Sequence, residues 1–353
     1  MKKYLSSGIY IFTAFTFICY IFYFFNPQWA FAIHTTLIFP FISDFLNLCS
    51  LKWTVIGWIF IFYTYFKFRS VQNAHISLFR WFKFIIEPFL WLITLYFWLW
   101  GFNYLSPAPE DFILGENREI SSSELLESFQ HHTNELNLLR DSLETYKITE
   151  DSILSHQKVL EWQNSIFTIL KKHHYSSRHN IDLLQIWPTG LLLRIGTAGF
   201  YNFVLARPTI DPGLHPIQIP NTSLHEIAHS YGVASESSAN FIAYIAGSES
   251  KDLSTQYSVK LSFWKTLKTA CFQEDSTTTK LIASFINPLV KKDILSIRKR
   301  MEQYPDIFPQ LRDNFYDLFL KSQGVEEGIY SYEMYLPLVL RWEKEKNNQI
   351  NKK

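Results

Sequence analysis

Charge is absent from the start of this chain: from Tyr4 to Ser43 there is no Asp, Glu, Lys or Arg. A soluble core helix needs a polar stripe, so that absence argues against an ordinary globular start. Cysteine is scarce. Cys19 and Cys49 lie in or beside apolar stretches and only Cys271 lies in the polar two-thirds. That excludes a disulfide framework there, and the lack of any CxxC pair argues against a thiolate zinc site. Net charge is only +1, so no broad basic field exists to hold nucleic acid. Internal repeats and low-complexity runs are also missing. What is abundant is apolar and aromatic surface, 48% and 18% of 353 residues, with most of the long runs in the first third. The chain has room for about two folding units.

A helix needs about 20 apolar residues to cross a bilayer. The sequence predicts three such spans within a membrane region at 1–105, at about 5–25, 48–66 and 84–104. Residues 26–47 are apolar but carry Pro27, Pro40, His34 and Asp44, and read as an interfacial or loop segment. Lys2 and Lys3 precede the first span, and Lys67, Arg69, Arg80 and Lys83 cluster between the second and third. Basic flanks face the cytoplasm, so three crossings put the C-terminal domain on the extracytoplasmic side. A cleaved signal peptide ending near Ala30-Phe31-Ala32 is the alternative for the first span and leaves that domain on the same side.

Residues 106–120, with Pro107, Pro109 and Gly115, read as a linker to a soluble domain at 121–353. Helices are predicted at 121–146, with a capping box between Ser121 and Glu124, and at 151–173. Their buried stripes would hold Leu125, Leu136, Leu139 and Leu143, then Ile153, Leu160, Ile166 and Leu170. Prolines and glycines between 182 and 220 point to a small β element or extended loops. Helical spacing returns at about 257–272, 277–302, 306–321 and 332–345. The fold class expected is mainly α.

The chemistry concentrates at 221–247, NTSLHEIAHSYGVASESSANFIAYIAG. His225-Glu226-Ile227-Ala228-His229 is an HExxH motif. Residues four apart on a helix share a face, so both imidazoles can reach one metal ion, with Glu226 beside its water. Leu224, Ile227 and Tyr231 would anchor the helix, and Asn221, Thr222 and Ser223 are candidate caps. Catalytic zinc usually takes a third protein ligand and keeps a fourth position open. Gly232 can end the helix in the left-handed conformation, and Ser235 can cap a second helix that opens with Glu236, the candidate third ligand. Asn240, one turn on, could orient a ligand by a hydrogen bond.

These segments resemble an uncharacterised bacterial membrane-protein family, catalogued as domain of unknown function 3810. The family combines N-terminal membrane helices with an HExxH…ExxANF segment, matched here by His225–His229 and Glu236–Phe241. A second block, Tyr316–Gly324 followed by Gly328–Tyr332, is also similar. Ser238 departs from the pattern, since members often carry another acidic residue there. The ExxAN run is similar to the third-ligand helix of other HExxH peptidases, in which the Glu binds zinc. The resemblance implies a multi-pass protein of the bacterial cell membrane with a zincin-like soluble domain, and adds fold and metal rather than a reaction.

The expectation is a zinc-dependent hydrolase of peptide or protein substrates, with Glu226 as general base and Zn2+ held by His225, His229 and Glu236. Tyr332, Tyr330 and His215 are candidate oxyanion donors, Tyr332 first. The loop at 203–220 could line a cleft. The rival reading is a non-catalytic membrane scaffold or pseudoenzyme with a structural or vestigial metal site.

Overall fold

The computed structural model describes residues 2–48, 55–59, 61–63, 65–66, 78–114, 120–143, 154–178, 181–323 and 334–350. The chain forms two compact units. One comprises Met1–Pro107, Ser176–Ile181 and Asn202–Arg207, the other Ala108–Tyr175, Asp182–Tyr201 and Pro208–Lys353.

The first unit is built on helices α1 (Lys2–Phe25), α2 (Pro27–Leu48) and α3 (Leu78–Leu99). Among the described residues, two stretches are long and apolar enough to cross a membrane, Gly8–Phe25 and Pro27–Leu48. The expectation of three spans is therefore corrected. The second helix that qualifies is the segment read as a loop, and its polar residues explain the misreading. Pro40 lacks the N–H that would bond the carbonyl four residues back. That carbonyl belongs to Thr36, and the Ser176 hydroxyl donates to it at 2.5 Å. The middle of α2, Ala30–Ile38, is wound as a π-helix. His34 Nε2 lies 3.1 Å from the Trp98 carbonyl, and Thr35 donates to Asn103 Oδ1 at 2.9 Å. Asp44 pairs with Arg178 at 2.7 Å. Each group that signals a loop thus has a partner, and such satisfaction lets a helix persist in apolar surroundings. The expected span at 48–66 lies partly outside the described residues. The expected span at 84–104 falls on α3, which stops at Leu99 before a 3-10 turn, Gly101–Leu105. Thr13 and Thr94 hydroxyls at 3.1 Å, and Trp98 Nε1 donating to Thr16 Oγ1 at 2.9 Å, join α1 to α3.

The second unit is helical apart from a small sheet. Its helices are α4 (Pro109–Ile113), α5 (Ser122–Ser142), α6 (His156–Leu170), α7 (Ile219–Ser230), α8 (Glu236–Ser248), α9 (Leu253–Glu274), α10 (Ser276–Ser284), α11 (Pro288–Met301), α12 (Pro309–Ser322) and α13 (Tyr335–Ile350). Ser121 and Glu124 form the expected capping box. Leu125, Leu136 and Leu143 are buried on the predicted stripe. On α6, Ile166 and Leu170 are buried, but Leu160 is exposed and Trp162 takes the inward place. Ile153 lies outside the described residues. The single helix expected at 277–302 is broken. Asn287 caps α11 by accepting from Leu289 N at 2.7 Å, and Pro288 sits at the first helical position, where its missing N–H costs nothing.

The β element is a three-stranded sheet, β1 (Leu184–Gln185), β2 (Gly199–Asn202) and β3 (Arg207–Ile210), in the order β1-β3-β2. β1 and β3 run parallel, with Leu184 opposite Thr209 and Gln185 opposite Ile210. The chain then turns at the fully buried Asp211. Its Oδ1 accepts from Gly190 N and Gly213 N, both at 2.7 Å, and its Oδ2 from Leu192 N at 2.8 Å and Leu193 N at 3.3 Å. A buried carboxylate is tolerated when donors surround it. This one ties the 190–193 loop to the turn that leads into α7.

Candidate metal centre

α7 opens on Ile219 and Pro220, earlier than Asn221, Thr222 and Ser223 would place it. Proline is favoured in a helix's first turn, because its absent N–H would have no intrahelical partner. Leu224, Ile227 and Tyr231 are buried, as an anchoring face requires. The reversal after α7 follows the sequence signals. Gly232 has φ +89, a conformation costly for residues with a side chain. Ser235 caps α8, its hydroxyl 3.5 Å from Ser238 N, and Glu236 is the first helical residue. Ala239 is fully buried, which lets α7 and α8 approach.

This turn brings three side chains together. His225 Nε2 and His229 Nε2 are 3.0 Å apart. Glu236 Oε2 lies 3.0 Å from the first and 3.5 Å from the second. The cluster is the one group of its kind among the described residues whose ligand atoms could hold a metal ion.

The outer ring nitrogens fix its chemistry. His225 Nδ1 is 2.8 Å from Asn240 Oδ1, and His229 Nδ1 is 2.6 Å from the Val233 carbonyl. A carbonyl can only accept, so His229 Nδ1 carries a proton. Asn240 Oδ1 puts the same demand on His225. Both Nε2 lone pairs then point at one place, which Glu236 Oε2 also faces. That oxygen is buried without a hydrogen-bond donor. Three electron-rich atoms this close repel one another unless something positive lies among them. A proton is one answer. Burial alone would lower the His229 pKa, but the Glu236 carboxylate outweighs it and raises it to about 9. Burial likewise opposes ionisation of Glu236, and the two histidines override it, holding the carboxyl well below its ordinary value. A divalent cation is the other answer, since metal binding displaces protons from such a set. Two imidazoles and a carboxylate fit zinc with one position open.

Glu226 is buried beside the cluster, and its Oε2 has no hydrogen-bond partner among the described residues. Burial pushes its carboxyl up to about 7, against the pull of His225 and His229 and with Glu236 adding to the rise. Gly199 of β2 makes the space. A Cβ there would stand 2.7 Å from the Thr209 carbonyl and 2.9 Å from Glu226 Oε1, so only glycine lets the strand lie over this carboxyl.

Tyr316 of α12 was not among the expected site residues. Its hydroxyl donates to Glu236 Oε1 at 2.8 Å, which leaves Oε2 for the histidines. The signal available was its place at the head of the second resemblance block. Glu110 of α4 lies in the segment read as a linker. Burial raises its carboxyl, with the Ser238 hydroxyl opposing. Tyr332 and Tyr330 lie outside the described residues. His215 is engaged elsewhere, with Nε2 2.9 Å from Ser296 Oγ and Nδ1 accepting from Ile217 N.

Partners that orient a metal ligand typically contribute 10–100-fold in affinity. Tyr316→Phe is expected to weaken zinc binding by roughly that factor, read by competition with a chromophoric chelator. Unchanged affinity would mean that Glu236 needs no help from Tyr316.

Compared with known proteins, residues 20–340 match one family model, described as protein of unknown function (DUF3810). No curated protein and no solved structure matches.

Proposed function

We propose that this chain, which belongs to the DUF3810 family, is a zinc-dependent hydrolase acting on peptide or protein substrates. The observation that carries the reading is the convergence of His225 Nε2, His229 Nε2 and Glu236 Oε2, with a buried, unligated Glu226 beside them. The same α7–turn–α8 arrangement supports a zincin-like domain.

His225 and His229 would hold zinc as neutral imidazoles, kept in that tautomer by Asn240 and Val233, and Glu236 would supply the third bond. Zinc bound there would lower the pKa of a water and polarise the scissile carbonyl. Glu226 takes the proton of the attacking water and returns it to the departing amine. Tyr316 holds Glu236 in the bonding orientation. A role for Tyr332 at the oxyanion stays part of the proposal, through a phenol donor.

The full chain should cleave some members of a quenched-fluorescent peptide pool, lose that activity to a chelator and regain it with zinc. Cleavage that survives thorough chelation would refute the reading. A purely structural metal is the less favoured alternative, because structural zinc sites are usually closed by four ligands and the cluster offers three.

The chain is further assigned to a bacterial membrane, crossing it at the two qualifying stretches and, third, at the shorter apolar segment Ile86–Leu99 of α3, an odd number that puts the second unit outside the cytoplasm. The support is the basic sequence at Lys2, Lys3, Lys67, Arg69, Arg80 and Lys83, which favours the cytoplasmic side. A cysteine added at the C-terminus should react with an impermeant maleimide on spheroplasts. Reaction only after lysis would reverse the assignment.

A further inference from the structure

The last helix of the second unit, α13, is held in two different ways. Its first half is anchored by apolar contact, with Tyr335, Leu336, Val339 and Leu340 buried in the core. From Arg341 to Gln349 its residues are half-buried or exposed. A cavity of about 560 Å³ lies along this half, lined among others by Glu127, His131, Gln256 and Asn347. Lys344 pairs with Glu124 at 2.9 Å and Lys346 with Glu249 at 2.7 Å, but exposed pairs of this kind contribute little. The outer half therefore depends on Glu343.

Glu343 ends a chain of charges that runs across four helices. At its centre is His132 of α5, only 3% exposed. Its Nε2 is 3.0 Å from Glu343 Oε2, and its Nδ1 is 3.4 Å from Glu135 Oε2. A carboxylate oxygen accepts, and a neutral imidazole can donate from only one nitrogen. Both carboxylates are satisfied only when His132 carries both protons. Lys260 of α9 donates to Glu135 Oε1 at 2.6 Å, and the Tyr244 hydroxyl of α8 donates to Glu343 Oε1 at 2.6 Å. The Phe263 ring of α9 stands 4.9 Å from the imidazole, and the His131 ring on α5 stands 5.5 Å away. Burial opposes charge on His132, but its bonds to Glu135 and Glu343 outweigh that and raise its pKa above the ordinary value. Burial likewise opposes ionisation of the two carboxyls. His132 nonetheless keeps Glu343 below its ordinary value and, with Lys260, brings Glu135 down to about 2. Burial, with Glu343 adding, holds the Tyr244 phenol well above its ordinary value. Near neutrality Glu135, Glu343 and Tyr244 thus keep their protonation while His132 changes.

We propose that α13 is a proton-operated clasp on α8: the doubly protonated His132 ring fastens the outer half of α13, and loss of one proton releases it. The fastening is fully present below pH 6.5, the ordinary histidine value, and is lost as pH rises through the higher value of the folded chain. Above that point Glu135 and Glu343 face a ring that can donate to only one of them, and the other loses its partner. The outer half of α13 gives way because a cavity, not core, lies along it. The clasp reaches the metal centre through α8. Glu236, Asn240 and Tyr244 are spaced four apart and lie along one face. They are the third candidate ligand, the partner of His225 and the anchor of Glu343. If the zinc reading holds, on which this last step rests, opening the clasp loosens the helix that presents Glu236.

The test reads the clasp by fluorescence on the full chain in detergent. It needs neither zinc nor hydrolysis, so its failure is separable from failure of the zinc reading. With Cys19, Cys49 and Cys271 replaced by alanine, bimane is attached at Asn347→Cys and a quenching tryptophan is placed by Glu127→Trp. Both positions line the cavity. The same label without Glu127→Trp gives the unquenched reference. Expected is quenching at about pH 6 that is lost by about pH 9, along a one-proton curve centred above the ordinary histidine value. His132→Gln should be unquenched throughout while keeping the parent's helical circular dichroism. Glu343→Gln, which removes the charge on α13, should abolish the transition as well. Constant quenching in the parent across this range overturns the proposal. So does an equal transition in His132→Gln, because another group would then be titrating. Zinc affinity compared at a single pH should be several-fold weaker in His132→Gln than in the parent, and equal affinities would overturn the link to Glu236.

Discussion

Glu226→Gln is expected to keep its zinc and to lower peptide turnover about 10²–10⁴-fold, the usual contribution of a positioned general base. That corresponds to roughly 3–5.5 kcal/mol of transition-state stabilisation. The amide has nearly the carboxylate's shape, so the packing against Gly199 survives. It cannot take up a proton, so the step assigned to Glu226 is lost. The environment predicts that the variant folds. Burial already disfavours the charged carboxylate, pushing its pKa to about 7, and a neutral amide removes that penalty. Turnover and zinc content must be measured on the same preparation. Lost activity with zinc retained identifies chemistry at Glu226. Undiminished turnover would remove it from the mechanism, and loss of zinc together with activity would make it a structural neighbour.

What could be read from sequence follows from how local each signal is. The paired histidines, the left-handed Gly232, the Ser235 cap and Glu236 as first residue of α8 lie within a dozen residues, where helix periodicity and capping rules act directly. Asn240 was legible for the same reason, one turn beyond Glu236. Tyr316 was not, because it reaches Glu236 across 80 positions of sequence and its place in the second resemblance block assigns it no role. Asp211 and Gly199 were equally hidden. One collects four amides, three from the 190–193 loop and one from Gly213, and the other matters through the space it leaves over Glu226.

The membrane region failed for the opposite reason, since local signals were read too literally. Pro40, His34 and Asp44 are helix-breaking or polar in isolation. Their satisfaction by Ser176, Trp98 and Arg178 comes from elsewhere in the chain. Leu160 shows the same limit on a smaller scale, because Trp162 on the next face of α6 fills the core instead.

The other large effect expected is loss of the metal itself. A three-ligand site depends on each ligand, and removing one leaves a bidentate remnant with little hold on zinc in dilute solution. Asn240→Ala, which spares all three ligands, should cost only about 10–100-fold in affinity. The decisive measurement is zinc per chain, by elemental analysis, on the full-length protein purified in detergent and passed through metal-free buffer. The account predicts one zinc in the parent and in Glu226→Gln, and none in His229→Ala or Glu236→Ala when those variants keep the parent's helical circular dichroism. A parent chain that carries no more zinc than His229→Ala, even after incubation with the ion, would contradict it.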